Sequence, residues 1–205
     1  DYYQETLPRL LRSMQEAQIP SAQVRVFIGR SPVMKIMRQP YGTFFFEQYG
    51  AYEHTALIGM VEHEIGEDLV FLLHDTCEVG KNFPALVSQA IPFMKDKFRF
   101  TADGFSVNGG MCGFGLYSLN YLMSRFDEIV ALKNCDKHAA MVHEGWLLRT
   151  KGHIYPYQRQ GTVDYETHGM VDVYGTGLLR LKEYYPQVDL YKYKANFGQT
   201  NPGAY

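Results

Sequence analysis

The sequence predicts an α/β domain, a GT-A-like arrangement of a mainly parallel central sheet flanked by helices. Three observations predict it. Segments with a two-residue period alternate with segments of helical period along the 205 residues. Leu69-Val70-Phe71-Leu72-Leu73 is apolar without a break, the habit of a strand buried on both faces. The chain is 46% hydrophobic and 20% charged, enough to bury one sizeable core and too apolar for disorder. A single domain over 1–205 is expected. Its start at Asp1, with no signal peptide, is read as a cut from a longer chain.

The elements follow in order. Leu7, Leu10, Leu11 and Met14 recur at helical spacing over 7–17, with Pro8 in the first turn, where its missing N–H costs nothing. Ile19-Pro20 ends that helix. Val24–Ile28 reads as a strand running into the loop Gly29-Arg30-Ser31-Pro32, and Thr43–Phe46 as a second strand closed by Glu47-Gln48-Tyr49-Gly50. A helix over 52–65 carries Ala56, Leu57, Met60 and Val61 on one stripe, with Gly66 as its stop. The Leu69–Leu73 strand ends in His74-Asp75-Thr76-Cys77-Glu78. A helix around 83–94, a strand near 97–101, a glycine-rich segment at 108–115, and helices over 116–130 and 137–149 complete the pattern. Residues 150–170 read as loop, and the tail from 186 is rich in Tyr, Pro and Gly.

Composition removes several classes of function. The net charge is −2 and Lys and Arg are scattered, so neither nucleic acid nor an anionic membrane is expected as partner. Apolar runs reach about five to six residues against the roughly 20 that span a bilayer. Three cysteines, with no C-x-x-C pair, are read as reduced thiols in a cytoplasmic compartment. Sixteen Tyr and 13 Phe make up most of the 15% aromatic content. Tyrosine joins a flat apolar face to a hydrogen-bonding tip, which suits sugar and base rings; the competing reading is an aromatic-rich core.

In an open α/β sheet, ligands bind beyond the carboxyl ends of the strands. That rule selects Gly29-Arg30-Ser31 and His74-Asp75-Thr76-Cys77-Glu78. A carboxylate flanked by His, Cys and Glu suits Mg²⁺ or Mn²⁺, which take one or two carboxylates together with substrate phosphates. The competing reading is an Asp that caps a turn beside a core histidine.

Helix 52–65, the acidic turn Glu67-Asp68, the strand Leu69–Leu73 and then His74-Asp75-Thr76 resemble the nucleotide-sugar glycosyltransferases of GT-A fold. The segment Gly109-Gly110-Met111-Cys112-Gly113-Phe114-Gly115-Leu116-Tyr117-Ser118 resembles their glycine-rich acceptor side. The likeness covers roughly residues 22–150, and within the family it is nearest to the capsid glycosyltransferases of large algal viruses. It implies metal-dependent, inverting transfer of a sugar from a UDP-sugar (glucose or a deoxyhexose such as rhamnose) to a glycan or glycoprotein hydroxyl, in the host cytoplasm if the chain is viral. Asp75 would hold Mn²⁺ or Mg²⁺. Where the family places further acids this chain has Cys77 and Glu78, an Asp-X-Cys variant that leaves the second carboxylate open. His168, within Thr167-His168-Gly169, would add a late metal or diphosphate contact.

The resemblance also implies Arg30 at the base or phosphates, Glu47 and Tyr49 at uracil or ribose, and His54 and Thr55 near the nucleotide. The general base would be Glu144, within His143-Glu144-Gly145-Trp146, with Asp103 and Asp136 as alternatives. Ordinary loop polarity competes for the nucleotide-side residues, and a solvated helix position competes for Glu144. Two other functions compete with transfer. One is a noncatalytic carbohydrate- or nucleotide-binding module, the other a metal-assisted hydrolase at Asp75. Several signals fail: His63-Glu64-Ile65-Gly66-Glu67 lacks the second His of a zinc-protease helix, and no Walker loop or G-x-S-x-G elbow occurs.

Overall fold

The computed structural model describes residues 3–52, 54–65, 69–90, 99–101, 114–140, 166–186 and 188–194. It is a mixed α/β structure of small sheets that falls into two compact units. The first comprises Asp1–Ile19, His74–Ile91 and Val163–Tyr205; the second comprises Pro20–Leu73 and Pro92–Thr162.

The second unit holds β1 (Arg25–Ile28), β2 (Lys35–Gln39) and β3 (Gly42–Phe46) in the order β1-β3-β2. β1 and β3 run parallel, with Val26 opposite Phe44, and β2 returns antiparallel along β3. Gly42 permits the close approach of β3 to the chain before β1: an added Cβ would stand 2.7 Å from the Val24 carbonyl oxygen. Helix α2 (His54–Glu62) packs on this sheet. It buries His54, Thr55, Leu57, Ile58, Gly59, Met60 and Val61, more than the single stripe its sequence predicts. Phe27 and Phe45 stack at 4.7 Å, and the Phe27 ring fills the space beside Gly59, where a Cβ would overlap it. Leu122 and Ile129, from α4 (Leu119–Ser124) and α5 (Phe126–Val130), complete this core with Ala51, Leu57 and Ile58.

A second sheet of the same unit orders β4 (Leu69–Leu73), β7 (Phe114–Ser118) and β6 (Arg99–Thr101) as β4-β7-β6. The apolar run thus forms the expected strand, but it pairs antiparallel with β7. Among the described residues, β1–β3 is the parallel ladder and the other ladders are antiparallel, so a mainly parallel sheet is not what they form. Burial of both faces is not reached either: Leu72 is buried and the other four residues are half-buried, so the apolar run marks a strand but neither its direction nor its full burial. Residues 114–118 are likewise strand where glycine loop and helix were expected, and the expected 116–130 helix is two helices separated at Arg125.

The first unit is built on a four-stranded antiparallel sheet, β5 (Cys77–Val79), β10 (Leu190–Lys194), β9 (Arg180–Tyr185) and β8 (Glu166–Val171), in that order. β8 and β10 occupy segments read as loop and tail, and β9 lies in a stretch given no element. Helix α1 (Tyr3–Glu16) buries Thr6, Leu10, Leu11 and Ser13, an i, i+4, i+5, i+7 stripe, and the unit also contains α3 (Phe83–Ala90). Ser13 Oγ accepts the Val79 N–H at 3.0 Å and donates to the Leu10 carbonyl at 2.8 Å, docking α1 on β5. No helix among the described residues is long and apolar enough to cross a membrane.

Leu57 is fully buried in the second unit, whereas Met34 is 66% exposed. Leu57→Ala should therefore cost about 2–5 kcal/mol, from lost transfer energy and the cavity left behind. Met34→Ala should stay within about 0.5 kcal/mol. Urea unfolding followed by circular dichroism measures both, and equal costs would contradict this core.

Candidate functional site

The loops that leave β1 and β3 at their carboxyl ends are tied to one another. Arg30 N–H donates to the Tyr49 carbonyl at 2.8 Å, Ser31 N–H to the Glu47 carbonyl at 2.8 Å, and Glu47 N–H to the Ile28 carbonyl at 2.8 Å. Arg30 holds a left-handed backbone at φ 57°, an uncommon state for a residue with a Cβ. Its guanidinium lies 5.1 Å from the Tyr52 ring centroid, and both side chains are exposed. Gly50 makes room for it, since a Cβ there would stand 2.5 Å from Arg30 Cγ. Arg30 and Tyr52 so form an exposed cation–π pair on a braced double loop.

The other predicted donor residues gather at the same loops, facing inward. Glu47 is buried, and its carboxylate meets His63 Nε2 at 2.6 Å. Tyr49 lies under the Lys133 ammonium, 4.8 Å from its ring centroid. Its hydroxyl is buried and has no hydrogen-bond partner among the described residues. Burial pushes that phenol's pKa up, and the charges of Glu47 and Glu62 add to the effect. His54 Nε2 bonds the Ala140 carbonyl at 3.0 Å, and Thr55 Oγ1 accepts the Ala51 N–H at 3.0 Å, which sets the start of α2.

The predicted metal residues belong to the first unit and stand in separate contacts. Asp75 accepts a hydrogen bond from Thr6 Oγ1. Glu78 is ion-paired with Arg9 at 2.5 Å and accepts the Tyr193 hydroxyl. Cys77 is buried, and burial drives its thiol pKa up against the opposing charge of Lys192. His168 lies on β8, exposed, 3.1 Å from Glu166, at a register shift that Gly169 permits with φ 79°. No group of three or more His, Cys, Asp or Glu side chains suited to a metal ion occurs among the described residues. Asp75 and Glu78 stand in separate contacts, so the described residues do not gather into a divalent-cation site.

Among the predicted bases, Asp136 is an exposed residue whose Oδ1 accepts the Ala139 N–H at 2.7 Å, which makes it the cap of the helical residues 137–140. Glu144 and Asp103 lie outside the described residues. Residues that the sequence reading passed over carry much of the first unit's chemistry: Thr6, Arg9, Glu183, Lys192, Tyr193 and Lys194. For the last three the signal was the alternation Tyr191-Lys192-Tyr193-Lys194, a period of two that marks a strand with unlike faces.

One face of this sheet is aromatic and cationic. Tyr184 and Tyr191 stack at 4.5 Å, the Lys182 ammonium lies 4.5 Å from the Tyr191 ring centroid, and His168 meets both rings edge-on. The Tyr184 phenol pKa is pushed up to about 12, by burial first and then by its hydrogen bond to Asp189.

The chain matches no protein-family model, no curated protein and no solved structure.

Because Asp75 and Glu78 stand in separate contacts, Mn²⁺ or Mg²⁺ alone at millimolar concentration should leave the melting temperature unchanged, as should a chelator. Differential scanning fluorimetry on the wild type and Asp75→Asn checks this. A metal-dependent rise abolished by Asp75→Asn would restore the metal reading.

Proposed function

We propose that the chain is a nucleotide-sugar glycosyltransferase that takes the donor nucleotide at the loops after β1 and β3. The observation that carries the reading is the meeting of Arg30, Glu47, Tyr49, His54 and Thr55 at the carboxyl edge of the parallel pair, where α/β sheets receive ligands. Each residue has a chemical use there. The Arg30 guanidinium offers planar paired donors to a phosphate, and the exposed Tyr52 ring offers a surface for a base. The Tyr49 hydroxyl, without a partner among the described residues, is a buried polar group that a uracil or ribose oxygen would satisfy. Glu47, held by His63, shapes the loop.

Transfer requires a base to take the proton of the acceptor hydroxyl as its oxygen attacks the anomeric carbon. The bond from that carbon to the diphosphate breaks, and the electron pair leaves with UDP. Glu144 is assigned the base, by its sequence position after the glycine-rich segment. Asp103 keeps its place as an alternative, while Asp136 is engaged as a helix cap.

A second reading, a noncatalytic sugar-binding module, is favoured by the stacked Tyr184 and Tyr191 with Lys182 and His168 on one sheet face. Turnover separates the two, because a binding module releases no UDP from a UDP-sugar.

Calorimetry with UDP should show about tenfold weaker binding for Arg30→Ala, the scale of one charge-assisted contact. Tyr49→Phe should weaken UDP while leaving ligand-free stability unchanged or higher, since it removes an unsatisfied buried hydroxyl. Glu144→Gln should lower kcat by about 10²–10⁴ with UDP affinity intact. UDP binding unaffected by Arg30→Ala and Tyr49→Phe would place the nucleotide elsewhere, and full turnover in Glu144→Gln would remove that base.

A further inference from the structure

In the first unit, just after the turn where the sequence predicts a divalent cation, the structure sets an ammonium group. We propose that Lys192, together with Thr76, forms a binding site for a phosphate-class oxyanion.

The register of the sheet builds the site. Lys192 on β10 stands opposite Cys77 on β5 and Glu183 on β9, so the three side chains project from one face. Lys194, two residues on, shares that face. Lys192 and Lys194 are each 5% exposed and Glu183 is 3% exposed, so two ammonium groups and one carboxylate are buried together. The carboxylate is committed: Lys194 Nζ lies 2.7 Å from Glu183 Oε2, and the Tyr185 hydroxyl donates to the same oxygen. Lys192 Nζ donates instead to Thr76 Oγ1 at 2.7 Å and meets His74 Nδ1 at 3.2 Å.

Thr76 brings no charge, and His74 presents a ring nitrogen as acceptor. The neighbouring acids are engaged elsewhere, Asp75 by Thr6, and Glu78, from the opposite face of β5, by Arg9 and Tyr193. Among the described residues no carboxylate lies within ion-pair distance of Lys192.

A buried ammonium without a counter-anion is costly, and an anion that reaches it recovers that cost. Thr76 Oγ1 accepts from Lys192 and so keeps its own proton to donate. A compact ammonium beside a hydroxyl donor suits a phosphate oxygen, where lysine acts as a point charge. The side chains of Thr76 and His74 are only partly buried, which leaves the turn open on that side.

The experiment measures affinity for inorganic pyrophosphate by calorimetry at fixed ionic strength, with UDP as a parallel arm. Lys192→Met should weaken pyrophosphate at least tenfold, Thr76→Val less, and Lys81→Met, an exposed lysine of the same unit, not at all. Lys192→Met without ligand should melt no lower than the wild type, because an unpaired buried charge has been removed. If Lys192→Met fails to fold, Thr76→Val decides by the same measurement. Equal losses for pyrophosphate and UDP would show that this site also takes the diphosphate of a nucleotide; a loss for pyrophosphate alone would identify an inorganic oxyanion. Pyrophosphate affinity unchanged in Lys192→Met or Thr76→Val, or an equal loss in Lys81→Met, overturns the proposal.

Discussion

Both units depend on finding a donor for each carboxylate that they bury or half-bury. Glu47 is met by His63, Asp75 by Thr6, Glu78 by Arg9 and Tyr193, and Glu183 by Lys194 and Tyr185. Asp189 receives Asn82 N–H at 2.8 Å and the Tyr184 hydroxyl at 3.0 Å, joining the start of α3 to the β9–β10 turn. Taking a carboxylate from water without such partners costs several kcal/mol, so the sequence places a donor wherever it buries an acid. These pairs also decide chemistry. Glu78, met by Arg9 and Tyr193, has little charge left for a metal ion, whereas Asp75 meets only the neutral Thr6 hydroxyl.

The same accounting separates what was legible in the sequence from what was not. Leu69–Leu73 was readable as a strand, because five apolar residues in a row leave few alternatives, and the structure returns those bounds. Arg25–Ile28, read from its alternation, and Gly42–Phe46 were legible within a residue or two. β2 was not: Lys35–Gln39 is exposed along its whole length, so no burial pattern marks it, and it is held by backbone pairing to β3. β9 and β10 were missed for the opposite reason. Their buried positions mix Glu183, Lys192 and Lys194 with Tyr185, Leu190 and Tyr193, and a reading that looks for apolar alternation does not see a strand whose buried residues are half charged.

The candidate site was legible in location more than in role. The rule that ligands gather beyond strand carboxyl ends selected the loop after β1, and the structure ties that loop to the one after β3 through Arg30, Ser31 and Glu47. It gave no means of telling exposed residues from buried ones. Glu47 and Tyr49 lie two apart, a spacing that in a loop carries no fixed direction, and both prove buried, while Tyr52 is the ring that reaches solvent beside Arg30. Pairings such as Glu47 with His63 join residues 16 apart, beyond the reach of local periodicity.

Distance along the chain explains the remaining difficulty. Lys192 and Thr76 are 116 positions apart, and β5 is a three-residue strand that α1 and β10 flank from the two ends of the sequence. A three-residue strand has little propensity of its own, so β5 exists because Ser13 of α1 caps Val79 N–H and β10 pairs with its other edge. Closing contacts over so long a separation carries a loop entropy that only the completed sheet repays. The ammonium of Lys192 therefore meets Thr76 only once the first unit is whole. Its charge row depends on strands contributed by segments that, read singly, carry no sign of one another.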